Sequence, residues 1–491
     1  MNVTNDLRIR RYILAGIMLA VSLGMIFTGT GGSISVSIPL SFTFIVQIGG
    51  SNLYQAFITG GSGLPFYTES NFTKLIHDDI ESGSSCANGC SLSMNPGKYN
   101  LTQTIVVDKP KFSVAGSTSS VIQPQNVTNW NTTFNKAAFA LTSTNTVLEG
   151  FTIDDAKRVG TLNTGDSILG QPTSSNVLLR SLMVQNATSD AVNIQGSNYI
   201  VTTSTLQGPV PPAFTTNYGI LMGATASGVR IFLNSISRFN YSDTAAISSS
   251  VGASFVSITS NNIFANSIGI LSNWGKFLTI EANNIHDNYA AGIVLTTQIV
   301  SSANAGPVNI NDNLITDNGK EPNTDAICNN QHCSGIVIRG TRPAWDSVTI
   351  VSNSIKDTQT VHTQYAGIYI FSTQYTNLTI TGNTLGKSLS GKAIIMTVNA
   401  LGSWIIAENA GFNPQPVRGP LTAGATPFTY TNFDGYKEQI ELITIGDMTA
   451  FTCRGIANII QVDAISPILN TLDTCVFTYV AVAPTYDVLP T

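Results

Sequence analysis

The 491-residue chain is 43% hydrophobic and only 10% charged, with a formal net charge of −5 at pH 7. This is enough apolar sequence to bury a long core, and the polarity comes from Ser, Thr and Asn instead of ions. With no Lys/Arg cluster beyond the N-terminus, the composition excludes a nucleic-acid partner.

In chain order, residues 1–32 read first as an export or anchor segment. Arg8, Arg10 and Arg11 precede an uncharged apolar run from Tyr12 to Phe27, followed by Thr28-Gly29-Thr30-Gly31-Gly32. A basic flank, a hydrophobic run and a small-residue zone describe a cleaved signal or an uncleaved membrane anchor, and both stay open. Either one exports everything after residue 32, which predicts an extracellular or cell-surface protein, membrane-held if the segment stays on.

Residues 33–70 read as a strand followed by a Gly-rich linker. Ile34, Val36, Ile38, Leu40, Phe42, Phe44, Val46 and Ile48 alternate strictly, and Gly49-Gly50 and Gly60-Gly61 follow. The strand either starts a sheet stack or is donated to another chain. A short amphipathic helix is expected over 71–83, with Leu75, Ile76 and Ile80 apolar, as a cap on the core that follows.

The long middle, 71–415, repeats one phrase, Val-x-Ile-x-x-Asn-x-Ile. It runs through Val229…Ile236, Val256…Ile263, Leu278…Ile285, Val308…Ile315, Val348…Ile355 and Leu378…Leu385. Val-x-Ile is the period of a half-buried strand, and the Asn bends the chain before the next apolar residue resumes it. Each unit closes on a second short strand opening with Gly, as in Gly269-Ile270-Leu271 and Gly335-Ile336-Val337. Units that bury their apolar side only by stacking make a solenoid. These residues resemble the right-handed parallel β-helix superfamily, the pectate-lyase-like fold. The resemblance implies an all-β solenoid but no single activity, because this superfold carries lyases, hydrolases, adhesins and tail proteins alike. Pro414, Pro416 and Pro420 then mark a linker, and 416–491 read as a small antiparallel β module stapled by Cys453 and Cys475.

The remaining cysteines form two more close pairs, Cys86 with Cys90 and Cys328 with Cys333. An even count in an exported chain reads as disulfides. Zinc is the competing reading, resting on His332 inside the second pair. Asn71, Asn100, Asn126, Asn131, Asn186, Asn240 and Asn377 open glycosylation sequons on the exported side.

Polygalacturonase-like β-helix hydrolases carry Asn-Thr-Asp, Asp-Asp, Gly-His-Gly and Arg-Ile-Lys signatures, of which this chain has only Asp154-Asp155. The repeat itself serves as a ruler. Two residues past the Ile that follows each Asn stand Arg238, Ala265, Asp287, Asp317, Asp357 and Lys387, one column about 4.8 Å per step. Asp287, Asp317 and Asp357 then form a carboxylate row with the spacing of a glycosidase pair, or of a calcium site at Asp317 and Asp357. Insertions beside the row bring Asp325, His332, His362 and Tyr365 as binding candidates. The plain alternative is that Asp after a strand is turn chemistry. Three functions follow. The first is binding of an extracellular polysaccharide or surface glycan without turnover and without a cofactor beyond that calcium. The second is a polysaccharide lyase or glycoside hydrolase acting through the aspartate row. The third is a structural assembly subunit.

Overall fold

The computed structural model describes residues 43–48, 54–58, 67–69, 72–76, 89–127, 130–158, 164–209, 218–240, 244–273, 276–297, 306–320, 333–340, 345–371, 374–386, 388–396, 401–411, 418–432, 437–463, 466–470 and 472–490. The chain divides into two compact units, 1–209 with 225–234, and 210–224 with 235–491. Each coil follows the same path: a strand in sheet A such as Ser254–Thr259, a bend, a strand in sheet B such as Asn262–Phe264, a corner, and a strand in sheet C such as Ile268–Asn273. Strands of successive coils pair in parallel within each of these sheets, which makes the fold a right-handed parallel β-helix.

In the first unit, Cys90–Met94, Phe112–Ala115, Val147–Glu149, Ser175–Arg180 and Ser197–Thr202 lie in sheet A. The N-terminal region departs from the expected linker. Thr43–Ile48 pairs in parallel with Cys90–Met94 and antiparallel with Tyr54–Ile58, which in turn pairs antiparallel with Tyr67–Glu69. The described part of the alternating strand, Thr43–Ile48, therefore lies within the chain's own sheet, and residues 33–42 lie outside the described residues. Of the expected 71–83 helix, the described part is one turn that begins at Phe72–Lys74. Its Phe72 is buried against Tyr54 and Tyr99, with ring centroids 5.5 and 4.9 Å away.

In the second unit the repeat is in register. Val256, Leu278, Val308, Val348 and Leu378 form one inward column, and Ile258, Ile280, Ile310, Ile350 and Ile380 the next. All are buried, and each such side chain stabilises the stack by about 2 kcal/mol. Each sheet A strand ends on a left-handed residue, Ser260, Ala282, Asp312, Ser352, Gly382 or Glu408, with φ between 53° and 65°. That bend turns the following Asn inward. Asn261, Asn283, Asn313, Asn353 and Asn383 are buried, and the backbone N–H and amide of each donate to the Oδ1 of the next at 2.8–3.1 Å, ending on Asn409. The repeated Asn is thus a ladder that satisfies backbone groups no sheet reaches.

Residues 418–490 carry the expected antiparallel module. One sheet joins Arg418–Thr422, Thr485–Pro490 and Glu438–Thr444, and another joins Phe428–Thr431, Thr474–Tyr479, Met448–Cys453 and Ile456–Ala457. Cys453 and Cys475 face each other across two strands and are disulfide-bonded, burying Phe451, Phe477 and Tyr486 around them. Cys90 is also disulfide-bonded, while its expected partner Cys86 lies outside the described residues. Cys333 is buried under the sheet C strands, and its expected partner Cys328 lies outside the described residues. Residues 1–42, with the apolar run, also lie outside. Among the described residues no helix is long and apolar enough to cross a membrane.

Candidate functional site at the corner between sheets B and C

The ruler places the aspartates where the sequence puts them. His286, Thr316 and Lys356 are in register on sheet B, and the residue after each is Asp287, Asp317 or Asp357. Asp287 and Asp317 are left-handed, with φ of 57° and 56°, as are Arg238 and Ala265 in the same position. This bend sets up a second ladder that the repeat phrase does not announce. Asn266 donates to Asn288 and Asn288 to Asn318, each through N–H and amide at 2.9–3.2 Å. At the next coil the buried Gln364 amide lies beside Gly335 and Ile355, as the Asn318 amide lies beside Gly292 and Ile315.

The three carboxylates share a column but not a task. Asp287 accepts from Lys320 Nζ at 2.5 Å and meets His286 Nδ1 at 2.7 Å. Partial burial pushes its carboxyl up, but Lys320 and His286 together hold it below the ordinary carboxylate value. Asp317 accepts from the Thr358 N–H at 2.6 Å and from its hydroxyl at 2.8 Å. Asp357 is turned in, its side chain fully buried, and takes the N–H groups of Gln359, Thr363 and Gln364 at 3.1, 2.7 and 2.8 Å. It nucleates the loop that the sequence counts as an insertion. His362 is half-buried with Nδ1 3.7 Å from Asp357, and Tyr365 packs edge-on against Tyr369 at 5.8 Å. Asp325 and His332 lie outside the described residues. Among the described residues no group of three or more His, Cys, Asp or Glu is placed to hold a metal ion.

What faces solvent here is the outer side of sheet B in the second unit. Asn284 donates its amide to Asn262 Oδ1 at 2.8 Å, and His286 Nε2 lies 3.2 Å from the same oxygen. The His286 ring stacks on Phe264, 5.3 Å between centroids and 6° from parallel. Leu314, Lys320 and Lys356 are exposed beside them. Sequence reasoning passed over His286, Phe264 and Lys320, although the ruler moved back one residue would have found the first two.

The same corner in the first unit holds a cluster with a single hint in the sequence, the Asp154-Asp155 pair. Asp155, Arg158, Asp166 and Asp190 are all buried. Asp155 accepts from Ser167 Oγ at 2.5 Å, with Arg158 Nε 3.6 Å away. Arg158 donates to the Gly165 carbonyl at 3.1 Å and lies 4.0 Å over the Trp130 ring. Asp166 accepts from Ser189 Oγ at 2.9 Å, and one amide nitrogen, Asn193 Nδ2, bridges Asp166 and Asp190 at 3.1 and 3.2 Å. Burial pushes the Asp155 and Asp166 carboxyls up and the Arg158 guanidinium down, against the opposing pull of their partners.

Of the sequon asparagines, Asn100, Asn126, Asn131 and Asn377 are exposed and Asn240 is half-buried. Asn186 is half-buried and left-handed, and its amide donates to Asp154 at 2.9 Å. Asn71 lies outside the described residues.

No protein-family model matches this chain, and no curated protein matches it in sequence. Among solved structures it is similar to DFA-IIIase from Arthrobacter chlorophenolicus A6 in complex with DFA-III, at 13% identity over 69% of this chain and 81% of that one, TM-score 0.48. It is also similar to the Dettilon tailspike protein, at 13% identity over 82% and 87%, TM-score 0.46. The A-module of the Azotobacter vinelandii mannuronan C-5 epimerase AlgE4 aligns at 14% identity over 68% and 96%, TM-score 0.44. At these values the assignment of this chain to the parallel β-helix rests on its own strand pairing.

Proposed function

We propose that this chain is an exported, surface-held solenoid that binds an extracellular polysaccharide along the outer side of sheet B in its second unit, without turnover. The observation that carries the reading is the outward row of Asn262, Asn284, Phe264 and His286 beside Lys320 and Asp287. Flat rings and amides repeated at the rung spacing suit a polymer whose hydroxyls and apolar ring faces also repeat. The aspartate row supports turnover less well, because protein donors already occupy Asp317 and Asp357. Binding to a glycan array tests this. Phe264→Ala with His286→Ala is expected to weaken binding at least tenfold, or about 1.4 kcal/mol, and Asp317→Asn is expected to leave it unchanged. Glycan bound equally by the double variant refutes the assigned face. Release of reducing ends or unsaturated uronates, abolished by Asp317→Asn, replaces the binding reading with an enzyme.

A further inference from the structure

The first unit seals more negative charge than it neutralises. Asp155, Asp166 and Asp190 stand against one guanidinium, Arg158, and all four are buried. Asp154 adds its charge from the preceding strand, tied to the Asn186 amide at 2.9 Å. Neutral donors fill part of the deficit: Ser167 on Asp155, and the Asn135 side chain, Ser189, the Asp190 N–H and Asn193 on Asp166. They leave it incomplete. Asp155 Oδ1, Arg158 Nε and Nη2, and Asn193 Oδ1 are buried without a hydrogen-bond partner. The single Asn193 nitrogen also lies within hydrogen-bond distance of two carboxyls at once. Removing an unscreened carboxylate from water costs more than protonating it, so a crowd of carboxyls with one cation holds protons instead of charge.

We propose that the Asp155–Asp166–Asp190 cluster is a proton-held latch: it closes the corner between sheets B and C of the first unit while it carries protons, and it loosens as the pH rises.

The sign follows from proton counting. In the unfolded chain these carboxyls ionise near the ordinary value of about 4; in the fold, burial raises Asp155 and Asp166 above it. Above about pH 4 the closed state then binds more protons than the open one, so its stability is complete in acid and falls with rising pH. Each retained proton makes opening about tenfold easier per pH unit until the buried carboxyl itself ionises. Asp287 and Asp447, both in the second unit, sit below the ordinary value and act in the opposite direction, so the readout must be local.

Hydrogen exchange on the full chain supplies one, through a peptide spanning residues 152–170 and corrected for intrinsic rates at pH 4.5, 6 and 7.5. Protection is expected to fall by about tenfold per pH unit per retained proton, and Asp166→Asn is expected to flatten that dependence. Protection that is flat or rises with pH in the wild type overturns the latch, as does an unchanged slope in a folded Asp166→Asn. Should that variant not fold, infrared spectroscopy of the wild type at pH 6 decides. A protonated-carboxyl band that disappears as the peptide opens supports the proposal, and its absence refutes it.

Discussion

Asn313→Ala tests whether the inward amides hold the coils together or merely fill space. Asn313 is buried in the middle of the second unit's ladder. Its Oδ1 accepts the Asn283 N–H at 3.0 Å and the Asn283 amide at 2.9 Å. Its own amide donates to the Ile280 and Asn311 carbonyls at 2.9 and 3.0 Å and to Asn353 Oδ1 at 2.9 Å. The Asn283 amide keeps Ile258 and Glu281 as acceptors, and Asn353 Oδ1 keeps the Asn313 N–H. Alanine therefore orphans one group above all, the Asn283 N–H, because the Ile280 carbonyl keeps its sheet A pairing with the strand Val308–Asn311. At about 1–3 kcal/mol for a buried unsatisfied group and about 1 kcal/mol for the other hydrogen bonds lost, the expected loss is about 2–4 kcal/mol. Asn409→Ala at the ladder's end orphans the Asn383 N–H in a half-buried setting and should cost about 1–2 kcal/mol. Urea unfolding of both variants measures the difference, and exchange of the Asn283 amide locates it. A loss below 1 kcal/mol for Asn313→Ala, or one no larger than for Asn409→Ala, would refute the ladder's role.

Two further outcomes follow from the same reasoning. Asp357→Ala should free the loop from Gln359 to Gln364, seen as faster exchange of the Thr363 and Gln364 amides, whereas Asp357→Asn keeps one accepting oxygen and should retain most protection; equal behaviour of the two would count against a turn-forming carboxylate. Reducing the Cys453–Cys475 bridge, which spans 22 residues, should destabilise the C-terminal module by about 3 kcal/mol, read as a lower thermal midpoint under reductant, and no change would contradict the staple.

The solenoid was legible because its signal is local and repeated. Val256-x-Ile258 and its copies state their own period, and Asn261 and its copies mark each bend, so even the register of distant coils could be read by alignment. The position of the aspartate column came from the same ruler and agrees with the sheet B pairing. The ruler gives the column but not the direction in which a side chain turns. Asp287 reaches out to Lys320 while Asp357 turns in to three backbone N–H groups, because the insertion after Asp357 needs a nucleus and the bend at Asp287 does not.

What the amino-acid sequence determined by itself is therefore the stack: which residues face inward, where each coil bends, and which positions recur on a common edge. These follow from hydrophobic period and turn chemistry, both short-range. Only the tertiary structure decided which polar groups meet. His286 finds Phe264 across 22 residues, and Asn193 joins Asp166 to Asp190 across a corner. Burial, charge balance and hydrogen-bond closure arise between coils, where no motif in the chain records them.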